Sequence, residues 1–513
     1  MDRATTDQWV LPILDVEDER PLYRQIADAI VARVRAGDLA TGARLPPTRE
    51  LARALGTHRN TVVKAFEELA KGGWTSSTVG RGTFIADEPP GMPAPTARAA
   101  SGLPWSTLVA RATESEPLVR ARRLARTPAL GDVVNLTRME PSSDLIPERE
   151  LHRCVDHVFR TLGADALGYA PRQGLERLRV LVAEDLRRVG LTVDPADVLI
   201  TTGSQQAIDL IGRALVNAGD TFLTEGQTYS GALNALATTG ARVVGVPCDD
   251  EGPELAALDA LARPRAKGLY VIPSSRNPTG TTMSAARREA LVAWSRATSV
   301  PLVEDDYGAD LNLDDTPSPP PLRALDPDVF YLGTFSKKLA PALRVGFVVC
   351  PAAMTPTLSS VKHAMDLGTS ALLQHALAEF LARGYLRAHL ARTLPEYARR
   401  RDALVAGLSD ALPADVTWEH PRRGVVLWLN LPQDLDAEEV FEEARRAGVL
   451  VSPSTLYTAS GPARAGLRLV FCAEPPDRLR EGARRLGLAI DAVARRRRAA
   501  RGSARPSLTV DIV

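Results

Sequence analysis

The feature that most constrains this chain is a pattern that repeats from about residue 130 onward: a short apolar run, a polar cluster and then a helical stretch. Such alternation predicts an α/β domain with a largely parallel central sheet. Four polar clusters directly follow predicted strands, at 202–206, 275–280, 304–307 and 333–338. Because ligands bind beyond the carboxyl ends of strands in sheets of this kind, these clusters are the first candidates for a functional site.

The clusters contain the residue types that a pyridoxal phosphate site requires. A lysine must condense with the aldehyde, a carboxylate must keep the pyridine nitrogen protonated, and hydroxyls, an arginine and helix N–H groups must bind the phosphate. Only six of the 63 basic residues are lysines, and a lysine, unlike an arginine, can lose its proton and form a Schiff base. A single surface lysine or helix-capping aspartate is far commoner than a cofactor ligand. The prediction therefore rests on the parts occurring together.

The N-terminal part of the chain predicts a separate small module. Its predicted elements are a helix over 21–36, short helices over 48–55 and 58–70 separated by Gly56, and a glycine-hinged hairpin over 78–85. This is the order of a winged helix-turn-helix. Seven basic and three acidic residues lie from Arg44 to Arg81, a local charge of +4 in a chain whose net charge is +1. Such a patch is expected for contacts to DNA phosphates, and the alternative is an ordinary solvated three-helix domain.

The segment LPPTRELARALGTHRNTVVKAFEELAKGGWTSSTVGRGTFI resembles the DNA-binding domain of GntR-type bacterial regulators. The resemblance implies DNA contacts from the start of each short helix and from the wing, and the polar face of the second short helix adds to them. The residues assigned to DNA contact in this way are Arg49, Arg59, Asn60, Thr61, Lys64, Gly80, Arg81 and Gly82.

The chain from about residue 130 to 490 resembles fold-type I aminotransferases, through NPTG at 277–280 and through Ser336-Lys337 followed by Arg344. The resemblance implies a Schiff base at Lys337 and a contact of Asp305 with the pyridine nitrogen. The other cofactor contacts that it implies are Asn277 and Tyr307 at the phenolic oxygen, Tyr229 on the ring face, and Ser204, Gln205, Thr334, Ser336 and Arg344 at the phosphate. It also implies that Arg468 binds the carboxylate of a substrate or effector, for which a salt-bridged strand arginine is the alternative.

A GntR-like module joined to an aminotransferase-like domain resembles the MocR family of transcriptional regulators. That resemblance implies a domain-swapped homodimer that binds an operator, holds pyridoxal phosphate as an internal aldimine, and senses the cofactor or an amino acid. An active amino-acid aminotransferase with an accessory N-terminal domain is the main alternative. The NPTG form at 277–280 keeps this alternative open, because it is the form of working aminotransferases and many MocR members differ there. A degenerate body serving only as a dimer scaffold is disfavoured by the retained Lys337, Asp305 and Arg344.

The sequence also predicts the domain organisation and the cellular setting. The predicted segments are a winged helix-turn-helix over 20–87, a Pro-rich linker over 88–129, an aminotransferase-like domain over 130–490 and a disordered Arg-rich tail over 491–513. No apolar run approaches the ~18 residues of a membrane span, and the start lacks the order of a signal peptide, so we expect a cytoplasmic protein. The cysteines and histidines lack ligand spacing, so we expect no metal site.

Overall fold

The computed structural model of the 513-residue chain describes residues 18, 20–36, 39, 45–78, 82–86, 89–90, 103, 108–125, 132–262, 266–314, 316–460 and 464–503. The chain divides into two compact units. The first, here called the head unit, comprises Met1–Ala110 and Arg126–Val133, and the second, the body unit, comprises Arg111–Ala125 and Val134–Val513.

The head unit has the predicted helix, turn, helix and wing order. Its elements are helices α1 (Leu22–Ala36), α2 (Thr48–Ala54) and α3 (Arg59–Lys71), followed by strands β1 (Thr75–Thr78) and β2 (Gly82–Ile85). Val62, Phe66 and Leu69 recur on one face of α3 and are buried against the rest of the head unit's core, which is why this stretch folds as an amphipathic helix. β1 and β2 pair antiparallel, with Thr78 opposite Gly82.

The body unit alternates strands and helices along most of its length. Its helices are α4 (Glu116–Ala125), α5 (Glu148–Leu162), α6 (Glu176–Leu186), α7 (Ser204–Leu215), α8 (Ser230–Thr238), α9 (Leu255–Leu261), α10 (Ala285–Thr298), α11 (Leu322–Leu325), α12 (Thr355–Asp366), α13 (Ala371–Ala382), α14 (Tyr385–Ala411), α15 (Ala437–Arg446) and α16 (Pro476–Ser503). Its strands are β3 (Val134–Asn135), β4 (Val198–Thr201), β5 (Thr221–Glu225), β6 (Arg242–Val246), β7 (Cys248–Asp249), β8 (Gly252–Pro253), β9 (Leu269–Val271), β10 (Leu302–Asp305), β11 (Phe330–Thr334), β12 (Gly346–Val349), β13 (Val426–Asn430), β14 (Val449–Leu450), β15 (Ser452–Pro453) and β16 (Gly466–Val470).

The central sheet has seven strands in the order β4-β12-β11-β10-β9-β5-β6. All neighbours are parallel except β12, which runs antiparallel to both β11 and β4. A smaller antiparallel sheet, β13-β16-β15, lies in the C-terminal part of the unit. The predicted fold class, a mostly parallel aminotransferase-like sheet with an N-terminal winged helix-turn-helix, is confirmed.

The sheet is buried on both faces. On β12, Phe347 belongs to one hydrophobic cluster and Val348 to another, and on β4 the same holds for Ile200 and Leu199. Alternate side chains of a strand point to opposite faces, so each strand must be apolar throughout when helices cover both sides. The polar residues that remain are therefore concentrated at the strand ends.

The linker prediction was wrong for residues 111–125. Helix α4 belongs to the body unit, where Arg120 donates hydrogen bonds to the backbone oxygens of Thr455 and Thr458. The Pro- and Ala-rich composition before this stretch concealed the helix, which begins only at Glu116.

The prediction of a disordered tail was wrong for residues 491–503, because helix α16 continues to Ser503. Val493 is buried, and the side chains of Arg496 and Arg497 form ion pairs of 2.9 and 2.7 Å with Glu443 and Glu439 of α15. Residues 504–513 lie outside the described residues. Within the described part of the chain, no helix is long and apolar enough to cross a membrane.

Candidate functional site

A cavity of about 550 Å³, here called the first cavity, lies in the body unit beyond the carboxyl ends of β10 and β11. Eleven residues were assigned from the sequence to cofactor or carboxylate contacts, and every one of them lines it. These residues are Ser204, Gln205, Tyr229, Asn277, Asp305, Tyr307, Thr334, Ser336, Lys337, Arg344 and Arg468. The position follows from the topology, because parallel strands carry their terminal polar residues to the same edge of the sheet.

Two adjacent lysines have opposite environments at this site. The Nζ atom of Lys337 faces the first cavity and donates a 2.6 Å hydrogen bond to the backbone oxygen of Met139, and burial lowers its pKa. Lys338 lies outside the cavity, 2.5 Å from a carboxylate oxygen of Asp310 and 3.5 Å from one of Asp185. Although burial disfavours its charge, these carboxylates raise the pKa of Lys338. Of the two, only Lys337 lines the first cavity, and only its pKa is shifted in the direction that favours a neutral amine.

Asp305 ends β10 and is 2% exposed. Its Oδ2 atom accepts a 2.6 Å hydrogen bond from the Tyr270 hydroxyl, while its buried Oδ1 atom has no hydrogen-bond partner. Burial is the main reason that the pKa of this carboxyl rises to about 6. A buried carboxylate oxygen without a donor is costly, and a cation at Oδ1 would relieve that cost.

Another part of the lining of the first cavity is suited to an anion. The twelve-residue helix α7 begins at Ser204, directly after Gly203, whose φ of 82° places it in the left-handed region. A guanidinium nitrogen of Arg344 donates a 3.1 Å hydrogen bond to the backbone oxygen of Thr202. Gly203 lies so close to this side chain that an added Cβ would stand 3.0 Å from Nη2 of Arg344. A helix N-terminus beside an arginine attracts phosphate groups through its free N–H groups and its dipole.

Other polar residues that line the first cavity are hydrogen-bonded to the protein. The Tyr307 hydroxyl donates a 2.8 Å hydrogen bond to the backbone oxygen of Ser275, and the side-chain oxygen of Asn277 accepts one of 3.2 Å from Arg468. Tyr229 precedes the first turn of α8 and lines the same cavity. The structure thus brings the two phenolic-oxygen candidates and the ring-face candidate together.

Arg468 lies on β16 and is 8% exposed. Its guanidinium donates to neutral acceptors, the backbone oxygen of Thr137 at 3.1 Å and the side chain of Asn277, and it packs 5.0 Å from the centre of the Tyr457 ring. Among the described residues, no carboxylate forms an ion pair with it. A buried arginine in this state lines the first cavity ready for a carboxylate from outside the chain.

Several residues of the first cavity and its supports were not predicted from the sequence. Tyr270 could have been noticed, since a hydroxyl within the apolar run of β9 needs a partner when it is buried. Thr137, Met139 and Tyr457 come from segments that have no motif and are remote in sequence from the four polar clusters. Nothing in the sequence placed them here.

In the head unit, most of the predicted DNA contacts lie at the surface. The side chains of Arg49, Arg59, Asn60 and Lys64 are at least partly exposed and Thr61 is half-buried. Nζ of Lys64 lies 4.3 Å from the centre of the Tyr23 ring, so this lysine also contributes to packing. Gly82 begins β2, whereas Gly80 and Arg81 lie outside the described residues.

In the part of the chain that the structure describes, no group of three or more His, Cys, Asp or Glu side chains is placed to hold a metal ion.

Comparison with known families matches both units. Residues 132–486 match the family model "Aminotransferase class I and II", and residues 22–85 match "Bacterial regulatory proteins, gntR family". The solved structure of LysN, the α-aminoadipate aminotransferase of Thermus thermophilus, complexed with N-(5'-phosphopyridoxyl)-L-leucine, is 33% identical. It superimposes with a TM-score of 0.70 over 77% of this chain and 100% of its own.

Two bacterial regulators are similar along nearly the whole chain. The uncharacterized HTH-type transcriptional regulator YisV of Bacillus subtilis is 32% identical, over 88% of this chain and 92% of its own length. The probable rhizopine catabolism regulatory protein MocR of Rhizobium meliloti is also 32% identical, over 92% and 94%. With a GntR-type head, an aminotransferase-like body and relatives that share both, the chain belongs to the MocR-type family of GntR transcriptional regulators.

Proposed function

We propose that this regulator binds pyridoxal phosphate in the first cavity and senses that cofactor or an amino acid there, thereby changing its affinity for an operator. One observation carries the proposal: residues between 204 and 468, assigned one by one from the sequence, all line a single cavity. The resemblance to a solved aminotransferase that holds a phosphopyridoxyl amino acid supports the same ligand class.

The residues present fit the cofactor at three points. The unpartnered Oδ1 atom of Asp305 would accept the ring N–H, while the Tyr270 hydroxyl continues to hold Oδ2. Lys337 would offer an amine whose pKa burial has lowered. The start of α7 and Arg344 would bind the phosphate. When bound, the cofactor supplies an aldehyde that condenses with amines and a ring that withdraws electrons.

The remaining residues of the first cavity would position these groups. Asn277 and Tyr307 would give hydrogen bonds to the phenolic oxygen in exchange for some of their present protein partners, and Tyr229 would cover the ring face. The additional phosphate contacts would come from Ser204, Gln205, Thr334 and Ser336. The side-chain amide of Gln205 already donates to the Gly231 oxygen at 2.7 Å, so its phosphate contact would come from its backbone N–H in the first turn of α7.

Arg468 would give the site its selectivity for amino acids. Its guanidinium is buried and has only neutral acceptors, so a carboxylate would form the first full-charge contact available to it. An amino acid that places its carboxylate on Arg468 would direct its amino group toward the Lys337 end of the same cavity. For such a ligand to act as a signal, it must bind one conformation of the protein better than another.

In the head unit, we propose that Arg59, Asn60 and Thr61 at the start of α3 read base edges, and that Arg49 and Lys64 contact phosphates.

We also propose a homodimer. Its support is a set of exposed apolar side chains on and after α5, where Phe159, Leu167 and Tyr169 are 44%, 65% and 86% exposed. Such a concentration of apolar surface is typical of a protein interface. Mass photometry of the full chain tests it, and a mass of one chain at micromolar concentration would contradict it.

Fluorescence anisotropy of the full-length protein tests the proposed function. The probe is DNA from upstream of its own gene, with unrelated DNA as control, at fixed salt because phosphate contacts alone give salt-dependent background binding. We expect specific binding whose Kd changes when pyridoxal phosphate or an amino acid is added. Equal affinity for both DNAs, together with many turnovers of an amino donor and a 2-oxo acid, would favour an aminotransferase instead.

A further inference from the structure

The body unit contains a second cavity, of about 510 Å³, that none of the predicted cofactor residues lines. Two consecutive residues connect the cavities: Asp305 lines the first cavity and Asp306 lines the second. Its polar lining consists of Arg188, Ser274, Asp306, Asp310, Asn312, Ser318 and Arg423. Its size falls within the roughly 300–1,000 Å³ of small-molecule sites.

Arg423 is an unusual buried cation in this lining. It is 7% exposed, and its guanidinium donates to a neutral acceptor, the backbone oxygen of Thr316. Within the described ranges, no carboxylate forms an ion pair with it, and burial lowers its pKa. The neighbouring Arg288 is also buried without an ion pair to any described residue, but the backbone oxygens of Met283, Pro273 and Pro320 and the Ser274 hydroxyl accept from all three of its nitrogens. Arg423 has no comparable set of acceptors among the residues described, and the carboxylates of Asp306 and Asp314 act on its charge without forming an ion pair with it, so this charge is only partly balanced.

Two other residues of the same cavity lining each have a side-chain oxygen that lacks a hydrogen-bond donor. Asp306 is 7% exposed; its Oδ2 atom accepts a 3.1 Å hydrogen bond from Tyr331, and its buried Oδ1 atom has no partner. The Asn312 amide donates to the Thr316 oxygen at 3.1 Å, and its buried Oδ1 atom also has no partner. Buried acceptors are nearly always satisfied, so two in one cavity point to a donor that comes from outside the chain.

The other charges at this site are already neutralised in pairs. Arg188 lies 3.0 Å from Asp185, and Lys338 lies 2.5 Å from Asp310. An anionic ligand alone would satisfy Arg423 and leave Asp306 without a donor, whereas a cationic ligand alone would do the reverse. A ligand that carries both charges satisfies both groups.

We propose that the second cavity binds a free α-amino acid, with its carboxylate on Arg423 and its ammonium group on Asp306 and Asn312. The side chain of this amino acid is uncharged, because the rest of the wall has no charged residue: it is formed by Val189, Gly190, Gly308, Ala309, Ser318 and the prolines at 319–321. This site is separate from the first cavity, and none of the groups that would bind the amino acid belongs to the cofactor.

Two connections link the second cavity to the first. The Ser275 hydroxyl donates a 3.2 Å hydrogen bond to the backbone oxygen of Arg423, and the Ser275 backbone oxygen accepts from the hydroxyl of Tyr307, which lines the first cavity. Asp306 directly follows Asp305 and raises its pKa through charge repulsion, a contribution smaller than that of burial. An amino acid on Arg423 and Asp306 therefore changes cofactor affinity, and by linkage the cofactor changes affinity for the amino acid equally.

A thermal-unfolding screen tests the proposal on the full-length, cofactor-free protein carrying Lys337→Ala, so that its result is independent of cofactor binding. The ligands are the twenty common L-amino acids, each titrated separately. We expect at least one with an uncharged side chain to raise the unfolding temperature saturably. Its amide, which lacks the carboxylate, and the matching acid without the amino group should not. No shift with any amino acid, or equal shifts with the analogues, would overturn the proposal.

Three substitutions in the same background locate the binding. Arg423→Met should raise the Kd at least about tenfold, as expected for loss of a charge-assisted contact, and the near-isosteric Asp306→Asn should act in the same direction. Arg468→Met in the first cavity should leave the Kd unchanged. If binding survived the first two changes and disappeared with Arg468→Met, the amino acid would be in the first cavity and the proposal would be wrong. Should Arg423→Met fail to fold, Asp306→Asn and the ligand analogues decide the question.

Discussion

The substitution Asp305→Asn should have opposite effects on two quantities: it should weaken cofactor binding and stabilise the cofactor-free protein. Asparagine has nearly the same shape, and its oxygen can still accept from the Tyr270 hydroxyl, but it has no charge to offer a protonated ring nitrogen. Burial raises the pKa of Asp305 from 3.8 to about 6, which corresponds to about 3 kcal/mol against the ionised form. A cation at Oδ1 would recover about that amount. We therefore expect the Kd for pyridoxal phosphate to rise about 100-fold in the variant.

The same substitution should stabilise the cofactor-free protein. A raised carboxyl pKa means that the folded chain binds more protons than the unfolded chain between 3.8 and about 6, so stability falls as pH rises through this range. The full cost then persists above about pH 6. Asp305→Asn removes this cost of burying the ionised carboxylate. The unfolding temperature of the variant at neutral pH should therefore be higher than that of the wild type, and it should fall less between about pH 4 and 6.

Absorbance titration gives the Kd, and differential scanning fluorimetry across about pH 4 to 8 gives the stability. Asp306→Asn is the matched control, because burial also raises its pKa to about 6 but its side chain does not line the first cavity. The control should gain stability, and its cofactor Kd should change by no more than about threefold, because the repulsion through which Asp306 acts on Asp305 is smaller than the effect of burial. A cofactor Kd for Asp305→Asn equal to that of the wild type would show that the charge of Asp305 does not contribute to cofactor binding.

Three further outcomes are expected. After borohydride reduction, peptide mass spectrometry should find the cofactor on Lys337, because the carboxylates around Lys338 keep that amine protonated; a labelled Lys338 would contradict this. Arg59→Ala should weaken operator binding and reduce the preference for the operator over unrelated DNA while leaving cofactor uptake unchanged, and an unaltered Kd in anisotropy would remove Arg59 from the interface. Gly203→Ala should weaken cofactor binding at least about tenfold, since a φ of 82° strains any side chain and the added Cβ would press on Arg344; a wild-type Kd in equilibrium dialysis would show that this turn adjusts freely.

Much of the first cavity could be predicted because its residues sit at strand ends. Asp305 and Lys337 follow apolar runs that could only be buried strands, and parallel pairing then brings their ends together whatever the loops do. The second cavity could not be found in this way. Arg423 and Asn312 lie in irregular segments, and an arginine is conspicuous only once it is seen to be buried without a carboxylate.

The two errors in domain organisation have a common physical origin. Composition indicates whether a segment can fold alone, but the helix over 116–125 and the end of α16 are held by other elements of the body unit. Arg497 would be one charge in a repelling run if it were not paired with Glu439 of α15. Long-range partners of this kind leave no local pattern.

The sequence by itself determined the two fold types, the predicted DNA-contacting face of the head unit and the identities of the predicted cofactor-site residues, because periodicity and short motifs are properties of neighbouring residues. Only the tertiary structure decided the electrostatics. Which of two adjacent lysines is paired with carboxylates, which oxygen of Asp305 lacks a donor, and which buried arginines lack a carboxylate all depend on partners far away in the chain. Burial and charge act through distance in space, and sequence does not encode that distance locally.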